Sequence, residues 1–187
     1  MKRLIGIAVT VGLAGALLVP TAAVASSDRS KTLGLTAMRV NASVTEALLK
    51  SNITVNGEDP GGSTILPPGK LALSFPISDV KNGKASHLGE LFISHNGAMG
   101  WRTVVVSNLT ANLEAGTLKG RVYATDTDLG KKTMFTLAHV KNDSGMYDFT
   151  LKLTADGAAT LNSSLNVTVF AAGMRVGSGM TMMMPPS

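Results

Sequence analysis

Three histidines, two tyrosines and ten methionines are the side chains of this 187-residue sequence best suited to holding a metal or a prosthetic group. The histidines are His87, His95 and His139. None stands in a His-x-His or His-Glu-x-x-His spacing, the arrangements that put two imidazoles on one side of a metal ion. Four of the methionines crowd together at Met180, Met182, Met183 and Met184. On a strand Met180, Met182 and Met184 share one face, because side chains alternate. Thioethers are soft ligands suited to copper(I), so these three are the candidate metal ligands. The competing reading makes them gap-fillers in the core. Asp126-Thr127-Asp128-Leu129-Gly130 opens like a calcium loop, but Lys131-Lys132 follows with no closing glutamate, and the segment reads as a polar loop.

Other chemistries lack their residues. The chain has no cysteine, which excludes disulfide staples, thiolate metal sites and a cysteine nucleophile. It has no Gly-x-Ser-x-Gly elbow and no glycine-rich phosphate loop between a strand and a helix. Ser94 stands beside His95, but neighbours on a strand point to opposite faces and cannot act as nucleophile and base. The sequence therefore reads as non-enzymatic. Aromatics make up 4%, too few for the stacking platforms of a single-stranded nucleic-acid binder.

The first 25 residues read as a secretory signal peptide. Lys2 and Arg3 precede an apolar run from Leu4 to Val19, Pro20 breaks it, and Ala23-Val24-Ala25 offers a small-x-small cleavage site. The expected product is exported, with no stable membrane span. Loss of Lys2 and Arg3 takes two charges from the formal +5, leaving too little for nucleic acid or an anionic membrane. Residues 26–31 read as a disordered leader, 32–184 as a single β-sandwich domain and 185–187 as a tail.

The elements that must position these residues are mostly strands. Leu33 and Leu35 alternate with small residues. Ser43 and Glu46 fit a capping box ahead of a short helix carrying Val44, Ala47 and Leu48. Ile53-Thr54-Val55 returns to strand character, and 56–69 reads as a long surface loop. Leu71, Leu73, Phe75 and Ile77 repeat with period two, and Pro76 makes that strand an edge or a bulged one. Lys81-Asn82-Gly83-Lys84 and Asn142-Asp143-Ser144-Gly145 read as hairpin turns. Strands are expected at 88–94, 101–108, 117–123, 133–140 and 147–153, with His95 in the turn after the first of them. Lys119, Arg121 and Tyr123 share a solvated face. Leu33 to Val55 and Leu151 to Val169 both read as strand, short helix, strand, and Asn52 and Asn166 precede the two closing strands. The expectation is a mainly β protein, an antiparallel β-sandwich or open barrel with two short helices.

One set of segments is similar to a known family. Phe75-Pro76-Ile77, Gly89-Glu90-Leu91-Phe92-Ile93-Ser94-His95-Asn96-Gly97-Ala98-Met99, Val106-Ser107-Asn108-Leu109 and Ala115-Gly116-Thr117-Leu118-Lys119-Gly120 resemble secreted actinobacterial β-rich proteins related to the HtaA-type haem-binding module. Leu153-Thr154-Ala155, Leu161-Asn162, Val169-Phe170-Ala171-Ala172-Gly173 and Val176-Gly177-Ser178 extend the likeness. The resemblance implies haem, with His95 at the histidine that supports an iron-ligating tyrosine on the N-terminal segment. Residues 32–56 hold no tyrosine and no tryptophan, so the tyrosine role falls to Tyr123 or Tyr147. The leading expectation is a secreted β-sandwich module with an envelope or extracellular ligand and no cofactor. The alternative is a haem- or copper-binding protein using His95, Tyr123, Tyr147 or the methionines.

Overall fold

The computed structural model describes residues 32–66, 69–125 and 127–184. The expected signal, leader and tail lie outside them. Along the chain run β1 (Gly34–Val40), α1 (Ala42–Lys50), β2 (Ile53–Glu58), β3 (Gly62–Leu66), β4 (Lys70–Lys81) and β5 (Lys84–His87). Then come β6 (Glu90–Gly97), β7 (Gly100–Asn112), β8 (Thr117–Ala124), β9 (Thr127–Asp143), β10 (Met146–Leu153), α2 (Ala155–Leu165) and β11 (Arg175–Met183). Every strand pairing is antiparallel.

The sheet closes on itself. The pairing order β7-β5-β4-β1-β11-β10-β9-β8 returns to β7, an eight-stranded ring. Closure leaves these strands without open edges. β6 and β2 extend from the first half of β7, and β3 lies on β4. The expected β-rich architecture with two helices is what forms, in its barrel version. Pro76 is accommodated where β3 has ended and β5 has barely begun, just before a register shift between Ile77 and Asp79. Asn82 and Gly83 both have positive φ, as a tight two-residue hairpin turn requires.

Period-two alternation puts Phe75, Ile77, Val104, Val106, Val122 and Met134 inside, each 0–1% exposed. The two helices cover one end of the barrel with short apolar stripes, Val44 and Leu48 from α1, and Ala158, Leu161 and Leu165 from α2. Gly157 lets α2 lie close to β9, since a Cβ there would stand 2.5 Å from the Met134 carbonyl. Thr154 caps α2 by accepting from the Gly157 amide at 2.9 Å. An apolar cavity of about 60 Å³ remains between the helices and the sheet, lined by Val44, Leu48, Val55, Ile93, Leu161 and Phe170 among others.

Several expectations need correction. The segment 56–69 is not one long loop: β2 continues to Glu58 and β3 pairs with β4. Ser43 and Glu46 do not form a capping box. The helix begins after Asn41, whose side chain instead donates to the Arg175 carbonyl, while Glu46 pairs with Lys50 at 2.8 Å. Val167–Val169 is not a strand; the closing strand is β11. The polar loop expected around Asp126 is short, because β9 starts at Thr127; Asp126 itself lies outside the described residues. Asp128 accepts from Arg121, and that pairing holds its carboxyl below its ordinary value. No helix among the described residues is long and apolar enough to cross a membrane.

Candidate functional site

His95 is a strand residue on β6, not a turn residue. The turn lies beyond it, where Ala98 and Met99 form a two-residue loop between Gly97 and Gly100. Three structures converge on this position. β2 leaves α1 and pairs Ile53 with His95. β7 returns from the hairpin and pairs Arg102 with His95, so both side chains lie on one face. The C-terminus of α2 arrives from the other side, and His95 Nδ1 lies 2.8 Å from the Leu165 carbonyl oxygen.

A carbonyl only accepts, so Nδ1 carries a proton, and in the neutral ring Nε2 keeps its lone pair. The carbonyl belongs to the last residue of α2, where intrahelical donors have run out. The ring thus satisfies an orphan group while its own orientation is fixed. Among the described residues no hydrogen bond reaches Nε2. Gly97 leaves the ring its space, since a Cβ there would lie 2.5 Å from Cε1. A recess of about 50 Å³ opens here, lined by His95, Gly97, Met99, Arg102, Leu165 and Asn166 among others. Met99 is 68% exposed, and Leu49 on the last turn of α1 is 60% exposed.

A haem-type ligand can be tested against this donor set. The site offers an oriented imidazole nitrogen, the thioether of Met99, the Arg102 guanidinium on the same face of the sheet, and the exposed apolar stem of Met99. These match iron, a second soft or apolar contact, carboxylates and a flat hydrophobic ring, in that order. The recess is far smaller than a pocket that encloses such a ligand, so the fit is to a group lying against this end of the barrel.

The tyrosines stand elsewhere. Tyr123 is on β8, outward, with the Arg121 guanidinium 5.8 Å from its ring centre. Tyr147 is near the start of β10, opposite Thr181, at the strand end away from α2. Neither lines the recess at His95. His139 is exposed on β9.

His87 has a different surrounding. It is 7% exposed inside the barrel. Its Nε2 is 2.7 Å from Thr36 Oγ1, its Nδ1 is 3.2 Å from the Leu109 carbonyl, and Thr36 Oγ1 is 2.8 Å from Thr181 Oγ1. The carbonyl fixes every proton: Nδ1 donates to Leu109, Thr36 donates to Nε2, and Thr181 donates to Thr36. Burial pushes the imidazole below its ordinary value, opposed in part by the Leu109 carbonyl. This network joins β1, β5, β7 and β11 and leaves His87 no free nitrogen.

Met180 and Met182 take the outer face of β11, and Met184 follows directly after it. Core filling is therefore the wrong account of them. Thr181 points inward to Thr36, which fixes the parity, and it is Met183 that packs against the core. Met182 is 44% and Met184 56% exposed. Arg102, Met99 and Leu165 at the His95 site, and Met146 opposite Met182, were not singled out by sequence. Arg102 was within reach of it: in a hairpin centred on Ala98-Met99, position 102 must face position 95.

No protein-family model and no curated protein matches the sequence. The fold does have solved counterparts. The C-terminal domain of HtaA from Corynebacterium glutamicum is 13% identical, with a TM-score of 0.52 over 81% of this chain and 97% of that domain. The haem binding protein HtaB from the same organism is 11% identical, with a TM-score of 0.55 over 79% of this chain and 92% of that one. The chain thus has the HtaA-type fold, as its scattered β segments suggested.

Proposed function

We propose that this chain is an exported, non-enzymatic barrel that binds haem at the end where α1, α2 and the β6–β7 hairpin meet. The observation that carries the reading is the His95 imidazole at the recess, locked through Nδ1 to the end of α2 with no hydrogen bond to Nε2 among the described residues. Metal-ligating histidines are commonly held this way, because the second nitrogen fixes the tautomer and aims the first. The shared fold with HtaB, a haem binding protein, supports the same ligand class. His95 would take the iron from one side, Arg102 would pair with a carboxylate of the ligand, and Met99 would cover apolar ring surface. Tyr123 and Tyr147 have no part in this arrangement. The signal-like pattern of the first 25 residues supports capture outside the cytoplasm.

The test is a titration of the purified protein with hemin, read by the Soret band. A saturable, shifted band at one equivalent is expected, lost in His95→Ala and weakened in Arg102→Ala. A band unchanged in His95→Ala would refute the assignment of the iron ligand. Absence of any saturable band in the wild type would return the protein to a purely structural or non-haem binding role.

A further inference from the structure

We propose that the outer wall of the barrel carries a second site, a thioether site for copper(I) built from Met182 and Met146 with Met180 and Met184 beside them. It is independent of the haem reading and lies on other strands. Met182 on β11 has Met146 of β10 on one side and Leu35 of β1 on the other, and Leu35 in turn faces Pro76 of β4. Met146, Met182, Met184 and Leu35 are all 38–56% exposed. The inward bond from Thr181 to Thr36 forces its neighbours Met180 and Met182 outward.

The spacing suits a shared ion. Side chains directly opposite on paired strands have Cβ atoms about 5 Å apart, and alternate residues of one strand are about 7 Å apart. Methionine has three rotatable bonds and an adaptable reach. The sulfurs of Met146 and Met182 can therefore close on one ion, with Met180 or Met184 completing a three-sulfur set. Neutral, polarisable thioethers select copper(I) over hard or borderline cations. Leu35, facing Pro76, makes one flank apolar. Asp148, paired in register with Met180, supplies a nearby negative charge for a monovalent cation.

Thioethers need no deprotonation, unlike imidazole or thiolate ligands. Affinity at this site should therefore hardly change with acidity. The experiment is an anaerobic competition between the full chain and the chromophoric chelator bicinchoninate for copper(I), at about pH 5.5 and about pH 7.5. The wild type is expected to hold one copper(I) equally at both. The double variant Met146→Leu/Met182→Leu is expected to lose at least about tenfold in affinity, and Met99→Leu to lose none. Leucine keeps the volume, so the fold should survive, checked by thermal melting. Copper lost to the chelator in the wild type overturns the proposal, as does retention in the double variant. Affinity that collapses on acidification assigns the ion to an imidazole and overturns it as well. So does self-association without copper uptake, which would make the row an interface.

Discussion

Gly97→Ala tests the geometry of the His95 site without touching the histidine. A Cβ at position 97 would stand 2.5 Å from Cε1, 3.1 Å from Nε2 and 3.2 Å from Nδ1 of His95. Comfortable contacts lie near 3.5 Å or beyond, so the ring must retreat by about 1 Å. Its bond to the Leu165 carbonyl is 2.8 Å long. A shift of about 1 Å directly away from the oxygen lengthens the bond to about 3.8 Å, beyond hydrogen-bond range, and a shift of the same size across it leaves the bond near about 3.0 Å but turns the ring off its line. In both cases the imidazole loses its fixed aim. Loss of such an outer partner typically costs a metal site about 10–100-fold in affinity. Gly97 does not have the left-handed backbone that would forbid alanine, so the barrel should still fold, less stable by about 1 kcal/mol, the worth of one hydrogen bond. Hemin titration of Gly97→Ala should therefore show a Soret band that saturates at about 10–100-fold higher ligand concentration. An intact protein with unchanged affinity would show that the locked imidazole is not what binds, and the argument for His95 would fail with it.

Three further outcomes follow from other parts of the fold. The unfolded chain protonates His87 near the ordinary 6.5, whereas the folded one resists, so acidification below that value favours unfolding by up to about 1.4 kcal/mol per pH unit until the folded group also protonates. Melting temperatures at falling pH should drop more steeply in the wild type than in His87→Gln, and equal slopes would refute the role of His87. Leu161→Ala removes a side chain that is 1% exposed beside the existing cavity and should cost about 2–5 kcal/mol, read as a lower urea midpoint. Thr154→Ala removes the cap of α2 and should cost about 1 kcal/mol, with faster exchange of the Gly157 amide; protection unchanged there would exclude the cap.

What the sequence disclosed follows from how local each signal is. Period-two alternation marks β4, β6 and β10 because it reflects one buried face per strand. β3 stayed hidden because Gly62–Leu66 carries no buried side chain, its existence resting on pairing with β4. Val167–Val169 has strand-like residues but no ladder. The Asn162 side chain takes that place, donating to the Phe170 carbonyl at 2.8 Å and accepting from the Phe170 amide at 3.1 Å. The methionine face was misjudged for a distant cause, since parity is set by Thr36, 145 residues away. His95 was visible as a residue, but its partner Leu165 is 70 positions along the chain.

The echo between the two strand–helix units gives the candidate site its architecture. Asn52 follows α1 and Asn166 follows α2, and both adopt the left-handed backbone that ends a helix and releases its final carbonyls. Both helix ends lead to β6, one just past the helix and one at its last residue. The Asn52 carbonyl accepts from the Asn96 amide at 3.1 Å, and the Leu165 carbonyl takes the His95 ring at 2.8 Å. Each helix therefore fixes one of two adjacent positions on the same strand, one through backbone and one through side chain. The arrangement makes no demand on the inward residues of the barrel ring. Replacement of Asn166 by a β-branched residue, which resists the left-handed conformation, should displace the Leu165 carbonyl and weaken hemin binding without changing β6–β7 pairing; hemin affinity that survives would detach the site from the end of α2.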